Sequence, residues 1–169
     1  AKGLMTAAIE DPNPVLIFEH KALYRSITGN VSEKYYTTPI GKAKLIELGD
    51  SLSIITYGMG VHWAQKIIND LKISADILDL RTLLPLDENA IFNSVRKTNR
   101  VLILHEDSLT GGIGGEISSL INENCFEDLD APILRCASLD TPVPFAHELE
   151  AQYLANNYLK EKIEYLINY

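Results

Sequence analysis

A three-layer α/β/α domain on a mixed sheet of about five strands is the fold class this sequence predicts. Two observations carry it. From Ala43 onward, short apolar runs alternate with segments of helical period, and that alternation implies parallel strands covered on both faces. Gly49-Asp50 also joins the first two apolar runs. A Gly-first pair suits a tight hairpin, so one antiparallel strand is expected, at a sheet edge.

The elements follow in order. Lys2 to Glu10 reads as a short helix stopped by "DPNP", and "VLIF" (Val15 to Phe18) as a short buried strand. The polar stretch from Glu19 to Lys42 holds many turn formers and no sustained period, so it reads as a linker. "AKLIEL" and "SLSIITY" are the two hairpin strands. Val61, Ala64, Ile68 and Leu71 recur at helical spacing, and "ADILDL" is the next strand. "PLDENAIFNSVRKT" opens with proline and acids, as a helix N-terminus favours. "VLIL" is a strand, and Ile113, Ile117, Leu120 and Ile121 mark the following helix. "PILRC" is the last strand, and Leu154 to Ile167 the closing helix.

Composition narrows the function classes. The chain has 169 residues, 46% hydrophobic and 22% charged, with a formal net charge of −8. Such a surface repels nucleic acid and anionic membranes and attracts a basic partner. No apolar run is long enough to span a membrane. Cys125 and Cys136 lack metal-ligand or redox spacing and read as buried thiols of an intracellular protein. The chain opens at Ala1, inside a helical stretch, so a piece of a longer protein is expected.

The turns beyond the carboxyl ends of the parallel strands are where ligands usually bind in such sheets. They gather a polar crevice of Arg81, His105, Glu106 and Asp140. Polar turns are the default at this edge, so the crevice has no assigned role. The glycine turn in "HEDSLTGGIGGEISSL" lacks the third glycine of a dinucleotide fingerprint, and Glu116 stands where a P-loop carries lysine. Glu106, Asp107 and Glu116 surround the turn with more negative charge than a helix N-terminus offsets. A structural turn is therefore expected, not a phosphate site. No histidine has metal-ligand spacing, and no G-x-S-x-G elbow occurs. Glu123, Glu127, Asp128 and Asp130 form an acidic cluster. If the helix persists to about Phe126, Glu123 and Glu127 share a face one turn apart.

The order of "AKGLMTAAIEDPNPVLIFEHKALYR", "PIGKAKLI", "DILDLRTLLPLD", "SVRKTNRVLILHEDSLTGGIGGEI", "FEDLDAPILRCASLDTPVPFA" and the closing "INY" resembles one family. It is the beta subunit of the thiamine-dependent decarboxylating component of 2-oxo acid dehydrogenase complexes. "LTGGIGGEIS" and "INY" look more like the branched-chain enzymes than the pyruvate enzymes. The resemblance implies a transketolase C-terminal domain over residues 42–169, a linker over 26–41, and the tail of a pyrimidine-binding domain over 1–25. It implies a parent enzyme that oxidatively decarboxylates a 2-oxo acid and acylates a lipoyl group. Thiamine diphosphate and Mg would be bound by domains outside this chain, leaving it no catalytic, cofactor or metal residue of its own. The implied partners are an alpha subunit or fused alpha half, a second beta subunit across a two-fold, and the basic subunit-binding domain of the acyltransferase core. Glu123, Glu127, Asp128 and Asp130, with Tyr169, are the residues expected to meet that basic domain. The implied location is the cytoplasm in a bacterium or the mitochondrial matrix in a eukaryote. The alternatives are the corresponding domain of a pyruvate or acetoin dehydrogenase beta subunit, of transketolase or of deoxyxylulose phosphate synthase, or a module binding a small effector at the crevice.

Overall fold

A computed structural model describes residues 1–169. One five-stranded sheet organises it: β1 (Lys44–Glu47), β2 (Leu52–Thr56), β3 (Ala75–Asp79), β4 (Val101–Ser108) and β5 (Leu134–Ser138). Their order across the sheet is β1-β3-β2-β4-β5. The pairs β2–β3, β2–β4 and β4–β5 are parallel, and β1 lies antiparallel to β3 at one edge. The sequence therefore anticipates the mixed sheet and its single antiparallel edge strand.

The hairpin is not formed. β1 and β2 flank β3 instead of pairing with each other. The reason lies at the Gly49-Asp50 connection. Gly49 N–H donates to Asp76 Oδ1 at 2.9 Å, and Ser51 N–H donates to the Ser74 carbonyl at 3.0 Å. Both bonds carry the chain past the amino end of β3. Asp76 is buried, and Ser94 Oγ and Lys97 Nζ also hydrogen-bond it. Ser94 Oγ in turn meets Ser53 Oγ at 2.7 Å, which completes a buried polar network under β2 and β3. A buried acid needs such partners, and they fix the route of the connection.

Alternation along the strands divides two cores. On one face Leu52, Ile54, Ile77, Leu102 and Leu104 pack against α3 (Met59–Leu71) and α7 (Asn156–Asn168). On the other, Ile55, Leu78 and Ile103 pack with Ile91 and Val95 of α4 (Glu88–Thr98) and Ile117 and Ile121 of α5 (Gly114–Cys125). Burying each of these large side chains contributes about 1.5–3 kcal/mol. The helical spacing of Val61, Ala64 and Ile68 is realised in α3, and Asp87 caps α4 by accepting from the Ala90 N–H. The closing helix expected from Leu154 to Ile167 is α7, and a further helix, α6 (His147–Tyr153), absent from the sequence reading, precedes it. α5 stops at Cys125 and tightens into a 3₁₀ turn over Phe126–Asp128. Glu123 and Glu127 therefore do not share one α-helical face.

No residue before Ala43 belongs to either core. α1 (Lys2–Glu10) is held by the stretch that follows: Thr38 N–H donates to the Gly3 carbonyl, and Lys2 Nζ donates to the Ser32 and Lys34 carbonyls. A single helical turn, α2 (Leu23–Ser26), lies further on. "VLIF" is not a buried strand. Leu16 and Phe18 are 83% and 92% exposed, and no backbone hydrogen bond is made from Pro14 to Glu19. An apolar run becomes a strand only where a neighbouring strand pairs with it.

Candidate functional site

β2→β3 runs toward one edge, and β3→β4 crosses over β2 toward the other. The winding reverses between β2 and β4, and the carboxyl ends of these strands flank the crevice where open α/β sheets usually bind ligands. A cavity of about 340 Å³ lies there, lined by Tyr57, Glu106, Asp107, Val143, Glu150 and Tyr153 among others. Burial raises the Tyr57 phenol above its ordinary value, and the Asp107 and Glu106 carboxylates raise it further.

Of the four crevice residues expected from the sequence, only Glu106 lines this cavity. Its Oε2 accepts from His20 Nε2 at 2.7 Å, so the N-terminal segment is fastened to the end of β4. His105 turns to the opposite face, as neighbouring strand residues must. It is fully buried beneath the start of α5, with neither ring nitrogen hydrogen-bonded. A Cβ on Gly114 would sit 2.5 Å from His105 Nε2, and one on Gly112 would sit 2.6 Å from Cε1. The glycines exist to admit this ring. Burial holds the imidazole below its ordinary pKa, against the opposing pull of Asp107. Asp140 is bound up in the turn, accepting from Thr110 N–H at 2.8 Å and Thr110 Oγ1 at 2.7 Å. These bonds lower its pKa. Arg81 stands at the end of β3, where Asp79 Oδ1 accepts its backbone N–H at 3.1 Å.

The glycine turn does not fit a diphosphate. Gly112 and Gly114 give their room to the His105 ring, and Glu116 adds negative charge to the first turn of α5. No three His, Cys, Asp or Glu side chains converge as a metal site would need. Both cysteines are free and buried, and burial pushes the Cys136 thiol up to about 12.

The acidic cluster is divided by its own neighbours. Arg96 Nε lies 3.3 Å from Asp128 Oδ2, and Arg100 Nη1 lies 4.0 Å from Asp130 Oδ2. Glu123 and Glu127 are exposed and have no cationic partner within the chain. Beside them a shallow cavity of about 720 Å³ is lined by Phe126, Leu129, Asp130, Pro132, Ile133 and Tyr169 among others. Of the five residues that the sequence reading expected at a docking face, Asp130 and Tyr169 line this cavity, and Glu123, Glu127 and Asp128 do not. The apolar floor, with Phe126 69% exposed, is a feature that reading missed. The adjacent "CF" and "API" in the acidic segment were its signal.

The family model "Transketolase, C-terminal domain" matches residues 41–158, more than half of the chain. The chain belongs to the transketolase C-terminal domain family. It is 46% identical over 160 residues to the 2-oxoisovalerate dehydrogenase subunit beta of Bacillus subtilis (strain 168), covering 92% of this chain and 49% of that protein. It is 45% identical over 157 residues to the acetoin:2,6-dichlorophenolindophenol oxidoreductase subunit beta of the same organism, covering 91% of this chain and 46% of that one. The chain therefore spans about half the length of these relatives. Among solved structures, a split-gene transketolase described as an inactive beta4 tetramer superposes with a TM-score of 0.68. That match has 21% identity and covers 85% of this chain and 47% of the other, so it bears on the fold alone. No helix of this transketolase-family chain is long and apolar enough to cross a membrane.

Proposed function

We propose that the chain is the C-terminal assembly domain of a 2-oxo acid dehydrogenase beta subunit, of the branched-chain type. The observation that carries this reading is the identity with the 2-oxoisovalerate dehydrogenase subunit beta across nearly all of the chain. The parent enzyme decarboxylates a branched-chain 2-oxo acid and passes the acyl group to lipoyl. Thiamine diphosphate and Mg belong to other parts of that enzyme. The lack of any fit at the glycine turn is consistent with this placement. Residues 1–25 are the tail of a preceding domain, 26–41 a linker, and 42–169 the domain itself. The exposed, unpaired "VLIF" run supports the first boundary. The working location is the cytoplasm of a bacterium or the mitochondrial matrix.

The domain's role is association with an alpha subunit and a second beta subunit, and docking of a small basic domain of the acyltransferase core. Glu123, Glu127, Asp128 and Asp130 with Tyr169 form the docking face. Glu123 and Glu127 supply its uncompensated charge, and Phe126, Pro132 and Tyr169 its apolar floor. Exposed charge of this kind steers encounter and specifies the partner. The near-equal identity to the acetoin subunit beta supports a second reading, in which the parent acts on acetoin.

Reconstitution tests the assignment. The full-length polypeptide, combined with an alpha subunit and lipoylated acyltransferase, should oxidise 2-oxoisovalerate in preference to pyruvate and acetoin. Preference for acetoin would select the second reading, and inactivity on all three would refute both.

A further inference from the structure

Three non-glycine residues have positive φ: Lys72 at 55°, Arg81 at 58° and Asn99 at 58°. Lys72 and Asn99 close α3 and α4, where a left-handed residue ends a helix and satisfies its last carbonyls. Arg81 follows a strand and has no helix to close. A left-handed conformation in a long L-residue is costly and persists where surrounding bonds over-determine it. Here Asp79 Oδ1 holds the Arg81 N–H, and the Leu80 N–H donates to the Thr56 carbonyl at 2.9 Å. Yet the guanidinium so positioned makes no hydrogen bond or ion pair within the chain, and the side chain is only partly buried.

Its surroundings are basic. Lys44 stands directly opposite Asp79 in the antiparallel β1–β3 register and is exposed. His62 lies in the first turn of α3, on the same side of the sheet. Lys44, His62 and Arg81 all act electrostatically on Asp79, the one carboxyl among them. A chain of net charge −8 thus carries a basic corner where β1 begins and β3 ends. Leu84, three residues beyond Arg81, is 93% exposed. A strained, unpaired arginine close in sequence to an exposed leucine is the composition of an interface centre, where arginine is enriched and receives planar carboxylates in a two-pronged fork.

We propose that Arg81, with Lys44 and His62, forms a docking site for a carboxylate side chain of a partner subunit. The choice of partner rests on the beta-subunit reading above, which calls for an alpha subunit. The left-handed backbone aims the guanidinium at that carboxylate before the subunits meet. The docked carboxylate supplies the charge that Asp79 alone does not.

Arg81→Gly separates this role from a structural one. Glycine accepts the left-handed conformation freely, so the variant relieves backbone strain while removing the guanidinium. The full-length polypeptide carrying Arg81→Gly should melt at or slightly above the wild-type temperature. Its affinity for the alpha subunit, measured by sedimentation at low salt, should fall at least about tenfold, as for loss of an interface anchor. Arg81→Lys should restore part of that affinity. A lower melting temperature in Arg81→Gly, or alpha-subunit binding equal to wild type, overturns the proposal while leaving the family reading intact. Loss of self-association with alpha binding unchanged would place a second copy at this corner and also overturn it. Failure of the wild type to bind an alpha subunit would overturn both this and the beta-subunit reading.

Discussion

His20 and Glu106 lie 86 residues apart in the chain and 2.7 Å apart in space. Their contact fastens an N-terminal segment that belongs to neither hydrophobic core onto the carboxyl end of β4. Both side chains are about a third exposed, so solvent screens the pair and its share of global stability is small. Glu106→Ala should therefore leave the melting temperature nearly unchanged while loosening residues 11–25. Faster amide exchange and tryptic cleavage at Lys21 and Arg25 would report this. Unchanged cleavage would mean that the segment is held by other contacts.

The packing of the glycine turn over His105 makes Gly114→Ala a core overpacking substitution. The added methyl must displace an imidazole that has nowhere to go, at a cost of about 1–3 kcal/mol. His105→Ala vacates that space, so the double variant should lose less than the sum of the two single losses. Denaturant midpoints measure the cycle, and strict additivity would show that the ring and the glycine do not compete.

His105 also sets a pH dependence. Burial lowers its folded-state pKa below the ordinary 6.5, so the unfolded chain binds the proton more readily. The stabilising effect of the neutral ring is complete above about pH 6.5 and declines as pH falls through 6.5 toward the folded value. His105→Leu, a neutral replacement, should flatten this part of the stability profile. A wild-type slope that persists in the variant would assign the titration elsewhere. Asp79 acts in the opposite sense, because burial raises its pKa and protonation then favours the folded chain.

Ser94 joins Ser53 to Asp76 inside the buried polar network. Ser94→Ala leaves both partners short of a bond and should destabilise the fold by about 1–3 kcal/mol. A loss near zero would indicate that water or Lys97 takes over.

Thiamine diphosphate with Mg, titrated calorimetrically into the 169-residue chain, should give no saturable heat. Tight binding would overturn the assignment of the cofactor to other domains.

The sequence carried the sheet well because strand alternation and helical period are local signals. Val101 to Leu104 and Val61 to Ile68 fold as their spacing requires, whereas Pro85 to Asp87, expected in the first turn of the next helix, precede α4, with Asp87 as its cap. Pairing partners are not local. Gly49-Asp50 has the chemistry of a hairpin turn, yet Asp76, 26 residues beyond Asp50, captures the Gly49 N–H and β3 takes the place between the two strands. Site residues suffered the same way. His105, Glu106 and Asp140 share an edge in one dimension, but pleat direction and the Thr110 turn send them to separate tasks. The strain at Arg81 left no trace in composition, since any residue can occupy a turn on paper.

The bare backbone from Pro14 to Glu19 has a practical consequence. Its amides are free, and Leu16 and Phe18 stand in water. An apolar stretch of that kind is a template for cross-strand joining between molecules. Pro12 and Pro14 sit just before it and lack the N–H a growing ladder would use, so they act as gatekeepers on one side only. Preparations of this chain alone should therefore precipitate through this run, and Leu16→Lys with Phe18→Lys should keep them in solution.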